Sequence, residues 1–307
     1  VSAGPAGPGR GSKATGPGGA SAGRLTVRAR GIDFGALAWG DPDAPLALLV
    51  HGYPDTAWTW RHLGPRLAEE GWRAVAPFTR GYAPTDLAPD DRYAVSDQAE
   101  DLLALHEALG GDERAVLIGH DWGAVATWQV TSTEPERFGS YVAMSVPPPA
   151  AVVAPLTALG TLPVAARQLR MSWYFLFNQL PESERSLGWL IPKLWRDWSP
   201  GYDADEDLAY VFEALEGPGR RRAAQRYYRN TLASRIGELA RMDPKAPALY
   251  LHGINDGCAQ VEIGRMHADR LPAGSRFEAV PGVGHFLQLE DSETVNRLIS
   301  GWIGRTR

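Results

Sequence analysis

An α/β fold is what this sequence predicts: a mostly parallel sheet with helices on both faces and an inserted helical cap. Three observations predict it. Short apolar runs of strand length alternate with helix-period segments from residue 24 onward. That rhythm stops at Pro147-Pro148-Pro149, and about ninety residues of helical, aromatic-rich sequence follow before it resumes near Pro247. One strand-to-helix junction, Gly119-His120-Asp121-Trp122-Gly123, carries small residues where a sharp turn needs them.

Taken in order, residues 25–30 alternate apolar and polar side chains, as a half-exposed edge strand does. Residues 46–50 are uniformly apolar and run into His51-Gly52, which suits a buried parallel strand. Residues 72–76 form another strand, closed by Pro77. A helix is predicted over 97–109, with Leu102, Leu105 and Leu109 on one face. A strand at 115–118 then leads into a helix at 122–133, and later strands fall at 138–144, 247–251 and 276–280. Residues 24–147 and 243–307 thus make the core, and 148–242 the cap, which holds Trp173, Tyr174, Phe175, Phe177, Trp189, Trp195, Trp198, Tyr227 and Tyr228. A structureless loop of that length does not suit a compact domain. An insertion over the carboxyl ends of the strands would roof the crevice where such folds bind ligands. Residues 1–23, mostly Gly, Ala, Pro and Ser, bury too little apolar surface to offset their ordering entropy and read as a disordered tail.

Composition narrows the function. With 307 residues, 44% of them apolar, the chain can bury a sizeable core. A net charge of -5 offers no basic surface for a nucleic acid backbone. Cys258 is the only cysteine, so neither an intrachain disulfide nor a cysteine zinc cluster can form, and a reducing compartment fits. The first residues lack the apolar centre of a signal peptide, and nowhere do about 18 uninterrupted apolar residues suggest a membrane helix. The expectation is a soluble, cytoplasmic protein that binds a small molecule, with no nucleic acid partner and no membrane span.

Chemistry concentrates at residues 119–123. A tight strand-to-helix turn lifts its central side chain into the crevice near the positive end of the following helix. Serine usually stands there; here it is Asp121. An N-cap role would account for an aspartate but not for glycines on both sides, so Asp121 is read as a nucleophile and serine esterase chemistry is disfavoured. His120 beside it is read as packing or hydrogen bonding. Such a nucleophile needs an acid and then a histidine later in the chain. Asp256 in Asn255-Asp256-Gly257 and His285 in Gly284-His285-Phe286 follow in that order, each on a loop just beyond a strand. His51-Gly52-Tyr53-Pro54 follows the 46–50 strand, where the second oxyanion donor of such a site arises. The backbone N–H groups of Tyr53 and Trp122 would then converge on an ester carbonyl at Asp121. His62, His106 and His267 lie on predicted helices and read as solvent-facing. His51, His252 and His285 form no recognisable ligand spacing, so no metal is expected.

With these residues assembled, the chain resembles the epoxide hydrolases of the α/β-hydrolase superfamily. The resemblance rests on His51-Gly52-Tyr53-Pro54-Asp55, Trp60-Arg61-His62, Arg80-Gly81-Tyr82 and Gly119-His120-Asp121-Trp122-Gly123. It runs from about Gly31 to the C-terminus. In the cap, Ser172-Trp173-Tyr174 with Pro181 seven residues after Tyr174, and Tyr228-Arg229-Asn230, resemble that family's two lid-tyrosine segments. The resemblance implies an aspartate nucleophile, a histidine–aspartate pair that activates water, two lid tyrosines, no cofactor, and a commonly cis proline at Pro54. It also implies a substrate pocket touching Trp122, Pro54 and Trp173. Two departures stand out: Phe78-Thr79-Arg80 replaces a usual Asp-Leu-Arg, and Ala83-Pro84-Thr85-Asp86 a usual Gly-x-Ser-Asp.

The implied chemistry is coherent. A carboxylate is ionised at neutral pH and attacks a saturated carbon without a base. His285, oriented by Asp256, then takes a proton from the water that attacks the ester, while the two amides stabilise the oxyanion, each worth roughly 3–4 kcal/mol. Opening an epoxide releases an alkoxide, which needs an acid; Tyr174 and Tyr228 would supply it, and without the resemblance they read as aromatic packing. The alternatives are a haloalkane dehalogenase with the same nucleophile, whose usual pattern has Asn where this chain has Tyr53, and a non-catalytic ligand-binding protein on the same scaffold.

Overall fold

A computed structural model describes residues 13–14, 22–153, 161–234, 236–239 and 241–305. Among the described residues nine strands form one sheet: β1 (Lys13–Ala14), β2 (Ala22–Ala29), β3 (Ile32–Trp39), β4 (Leu46–Val50), β5 (Arg73–Pro77), β6 (Val116–His120), β7 (Ser140–Met144), β8 (Ala248–Gly253) and β9 (Arg276–Val280). Their order across the sheet is β1-β2-β3-β5-β4-β6-β7-β8-β9. The first strands pair antiparallel up to β5, and every later pairing is parallel. Every residue of β4, β6, β7 and β8 is buried, which is why these strands read as unbroken apolar runs.

The core helices are α1 (Leu63–Glu69), α2 (Val95–Ala108) and α3 (Trp122–Thr133). The chain steps outward from β4 to β5 through α1, then returns past β4 to β6 through α2. Right-handed crossovers running in opposite senses put α1 on one face and α2 on the other, where α2 packs on α3. The reversal leaves a crevice at the carboxyl ends of β4 and β6. Those two strand ends are where His51 and Asp121 follow.

Between β7 and β8 the described residues form helices only: α4 (Pro149–Val153), α5 (Leu162–Met171), α6 (Trp173–Phe177), α7 (Leu187–Trp198), α8 (Asp205–Ala214), α9 (Arg220–Ser234) and α10 (Ile236–Leu239), with a short 3-10 turn before α7. After β8 come α11 (Val261–His267), α12 (Leu287–Glu290) and α13 (Ser292–Ile303). No helix of the described residues is long and apolar enough to cross a membrane.

Many contacts tie the insertion to the core, among them those of Trp195, Tyr227 and Arg61. Trp195 donates its indole N–H to the Pro54 carbonyl at 3.0 Å and stacks on Phe286. Tyr227 donates its hydroxyl to the Arg80 carbonyl at 2.8 Å. Arg61 grips Asp207 at 2.6 Å, and Tyr202 donates to the other oxygen of that carboxylate at 2.7 Å. Asp207 is 2% exposed, so losing Arg61 would strand a buried charge. Arg61→Ala is expected to destabilise the protein by about 3 kcal/mol or more, whereas Arg28→Ala, which breaks the exposed pair with Asp33, should cost less than about 1 kcal/mol. Urea melts of the two variants check this; equal midpoints would remove the Arg61–Asp207 pair from the account.

The structure departs from the sequence reading in several places. Among the described residues, 25–29 of β2 pair with β3 on one side only and alternate in burial, as the edge-strand reading expects. Strand β1 reaches no further than Ala22 and Gly23, and Lys13–Ala14 with those two residues is paired strand where a disordered tail was expected. The rest of that expected tail lies outside the described residues. Strand β3 was missed altogether, because Asp33 and Gly35 are poor strand formers. His106 and His267 are buried, against the solvent-facing reading. His106 packs edge-on against Phe138, and His267 bonds through Nδ1 to the Ile263 carbonyl.

Candidate active site

Asp121 closes β6 and opens α3 with φ 53° and ψ -118°, a backbone that an L-residue adopts only when its surroundings impose it. The surroundings here are crowded. A Cβ at Gly119 would lie 2.2 Å from the Gly123 carbonyl oxygen, and one at Gly123 would lie 2.2 Å from that of Val50. Both glycines are therefore required for the strand and helix to meet this closely. The turn leaves the Asp121 carboxylate in the crevice, 5% exposed.

One carboxylate oxygen, Oδ1, accepts the Tyr53 backbone N–H at 2.7 Å. The other, Oδ2, lies 3.5 Å from Nε2 of His285. His285 sits on the loop after β9, completely buried; its Nδ1 is 2.9 Å from Asp256 Oδ2, and its Nε2 has no hydrogen-bond partner among the described residues. The ring is held from behind: Ser145 Oγ and His120 Nε2 both reach the His285 carbonyl, at 2.6 and 2.9 Å. On the loop after β8, Asp256 takes the backbone N–H groups of Cys258 and Ala259 on Oδ1, at 2.6 and 3.0 Å. His252 Nε2 stands 3.3 Å from its Oδ2.

Electrostatics follow from this arrangement. Burial works against charge on Asp256, but the facing His285 and His252 outweigh it and hold the carboxyl well below the usual carboxylate range. Burial likewise opposes charge on His285, yet Asp256 above all, with Cys258 and Asp121, pushes its imidazole well above the usual value. Burial lowers His51 to about 4, so this ring is neutral and accepts the Thr79 backbone N–H at 2.9 Å.

The insertion supplies the roof. Tyr174 of α6 and Tyr228 of α9 are both buried, with ring centroids 5.6 Å apart and planes at 90°. Tyr228 packs edge-on against Tyr53 and Trp122, at 5.0 and 5.2 Å. The Tyr174 hydroxyl is 3.2 Å from Cys258 Sγ. Burial first, and then the neighbouring thiol for Tyr174 and the neighbouring phenol for Tyr228, keep both groups well above the usual tyrosine value, so both stay protonated. The peptide bond between Tyr53 and Pro54 is cis.

Of the nine residues singled out from the sequence, the structure brings Asp121, His285, Asp256, Tyr53, Pro54, Trp122, Tyr174 and Tyr228 to this crevice. Trp173 is the exception. It shares a helix face with Phe177, four residues on, and packs with it and the exposed Trp189, outside the cluster. Phe175 takes the expected place, against Trp122 and Tyr228. Two further residues went unnoticed. Cys258 offers a sulfur within 4.8 Å of both the Asp121 carboxylate and the His285 ring, and Trp198 packs edge-on against His285 while its carbonyl accepts the His285 N–H at 3.0 Å. The only signal for Cys258 was its position two residues after Asp256.

Residues 45–292 match the family model of the alpha/beta hydrolase fold. The chain belongs to this family. As an α/β-hydrolase it is 29% identical over 282 residues to the AB hydrolase superfamily protein YfhM of Bacillus subtilis, covering 89% of this chain and 95% of that protein. It is 38% identical over 135 residues to Epoxide hydrolase A of Mycobacterium tuberculosis, a match spanning 43% of this chain and 41% of that protein. The crystal structure of epoxide hydrolase VrEH1 from Vigna radiata superposes with a TM-score of 0.76 at 26% identity, covering 92% of this chain and 98% of that one. Within the α/β-hydrolase scaffold, the crevice pairs a carboxylate with an amide donor, an unpartnered imidazole nitrogen and two protonated phenols. That set can attack carbon, protonate a leaving oxygen and then activate water.

Proposed function

We propose that the protein hydrolyses an epoxide to a vicinal diol through an alkyl ester on Asp121. Asp121 Oδ2 attacks a ring carbon of the epoxide while the Tyr174 and Tyr228 phenols hold the epoxide oxygen and deliver a proton as the C–O bond breaks. The carbonyl left on Oδ1 stays with the Tyr53 amide, and Trp122 N–H at the start of α3 is its second donor. His285, kept in orientation by Asp256, then takes a proton from water, which attacks the ester carbon. As the oxyanion collapses, the departing alkoxide takes that proton back from the imidazolium to leave as the diol, and the acid formed on Asp121 returns its proton to the phenolate. The helical insertion acts as a lid. Because every one of these groups is buried, it must open to admit substrate.

The observation that carries this reading is the pair of buried phenols facing the Asp121 cluster. A halide leaves as an anion and needs no acid, so paired phenols have no task in a haloalkane dehalogenase. An orienting acid, a strained nucleophile turn and an unpartnered Nε2 likewise have no task in a mere binding protein. Family relatives named epoxide hydrolases add to the support.

The phenols also give the test. Phe keeps the ring and its packing while deleting the donor, so the double variant Tyr174→Phe with Tyr228→Phe should slow alkylation of Asp121 by about 10²–10⁴-fold. Each single change should be milder. Hydrolysis of an ester already formed should be much less affected, because that step uses His285 and the amides. Stopped-flow alkylation rates for small, aryl and long-chain epoxides, run beside haloalkanes, decide it: an unchanged rate in a folded double variant would remove the acid role and favour haloalkanes.

A further inference from the structure

We propose that Asp121, Cys258 and His285 form a three-ligand site for a zinc-class divalent cation, which binds inside the closed crevice and inhibits the enzyme. One carboxylate oxygen, the thiol sulfur and one ring nitrogen all lie within 4.8 Å of one another, and all three residues are buried. His285 Nε2 is fully buried without a hydrogen-bond partner among the described residues, while the pairing of Nδ1 with Asp256 keeps Nε2 as the nitrogen left to bind. A carboxylate holding the far side of a ligating imidazole is the usual support of a zinc histidine.

The separation of the His285 and Asp121 ligand atoms suits the ion. Zinc bonds of about 2.0–2.3 Å in tetrahedral geometry place ligand atoms about 3.3–3.8 Å apart. His285 Nε2 and Asp121 Oδ2 are 3.5 Å apart. Sulfur, imidazole nitrogen and carboxylate oxygen are a zinc donor set, and three protein ligands leave a fourth position for water. On binding, the Cys258 thiol and the His285 imidazolium each lose a proton to solvent, the contact of the thiol with the Tyr174 hydroxyl at 3.2 Å gives way, and His285 coordinates as the neutral ring. The ligands sit on three separate loops, so no local spacing in the sequence announces them. The ion would occupy both the attacking oxygen and the water-activating nitrogen, which makes binding and turnover mutually exclusive.

Cobalt(II) tests this without any substrate, so its outcome is independent of the proposed reaction. Because Cys258 is the only cysteine of the chain, a thiolate-to-cobalt charge-transfer band has one possible source. Titrating the chelator-treated full-length protein should give that band, saturating at one equivalent and bleached by zinc or by excess chelator. Cys258→Ser should lose the band and weaken zinc binding, followed by calorimetry, about 100-fold or more. Asp121→Asn should keep the band with reduced affinity. Zinc at one equivalent should also suppress epoxide turnover, restored by chelator. No thiolate band on the native protein at saturating cobalt would overturn the site, as would unchanged zinc affinity in a folded Cys258→Ser variant. If the serine variant does not fold, the native spectrum alone decides.

Discussion

Asp121→Ala is expected to lower turnover by on the order of 10⁴–10⁶-fold, the range for removing a member of a cooperating catalytic set, while circular dichroism shows the fold retained. The retention follows from what the side chain touches: among the described residues it takes one hydrogen bond, from the Tyr53 amide to Oδ1, and Oδ2 faces His285 Nε2 at 3.5 Å. The mechanistic readout is sharper than the rate. In the proposed sequence, water attacks the ester carbon and not the alkyl carbon. The diol therefore departs with an oxygen that belonged to Asp121, and the water oxygen stays behind in the carboxylate. A single turnover in heavy-oxygen water with enzyme in excess should give an unlabelled first diol and a labelled Asp121. Label in that first diol would mean direct attack by water, and the covalent route would be wrong.

The parts of this protein that were legible in the sequence are those where one local rule acts alone. The fully buried strands β4 and β6 read as apolar runs because both faces are covered. The turn at Asp121 read correctly because backbone crowding admits only glycine at Gly119 and Gly123. Where tertiary context decides, local reading failed. Strand β3 has Asp33 and Gly35 in its pattern, and is a strand because β2 and β5 flank it. His106 lies on a polar-looking helix but faces Phe138, which no periodicity of its own helix announces. In Trp173-Tyr174-Phe175, adjacent residues turn about 100° apart on the helix, so the family pattern named the segment but not which aromatic faces Trp122. Cys258 is the clearest case. It reaches Tyr174 and the Asp121–His285 pair only because the loop after β8 meets the roof, a contact between segments far apart in the chain.

His285→Gln is expected to stop steady turnover by a similar factor but to leave the first half-reaction intact, because an ionised Asp121 attacks without a base. Gln fills much of the ring's space and still offers Asp256 a hydrogen bond, so the variant should fold. Intact-protein mass spectrometry should then show a lasting adduct of one substrate mass. The wild-type pH profile carries the complementary signature. In the free enzyme burial opposes the imidazolium, but Asp256, Cys258 and Asp121 together push His285 well above its ordinary value, so the ring keeps its proton to higher pH than a free histidine does. Alkylation turns Asp121 from an anion into a neutral ester and removes one of those groups, so the pKa falls in the intermediate. Neutral imidazole, the form that accepts a proton from water, thus becomes available at lower pH once the ester has formed. Ester hydrolysis in single turnovers should rise with pH through a midpoint below the titration of His285 in the free enzyme, followed by NMR of the labelled ring. A folded Gln variant that turns over normally and never accumulates the adduct would take His285 out of the mechanism.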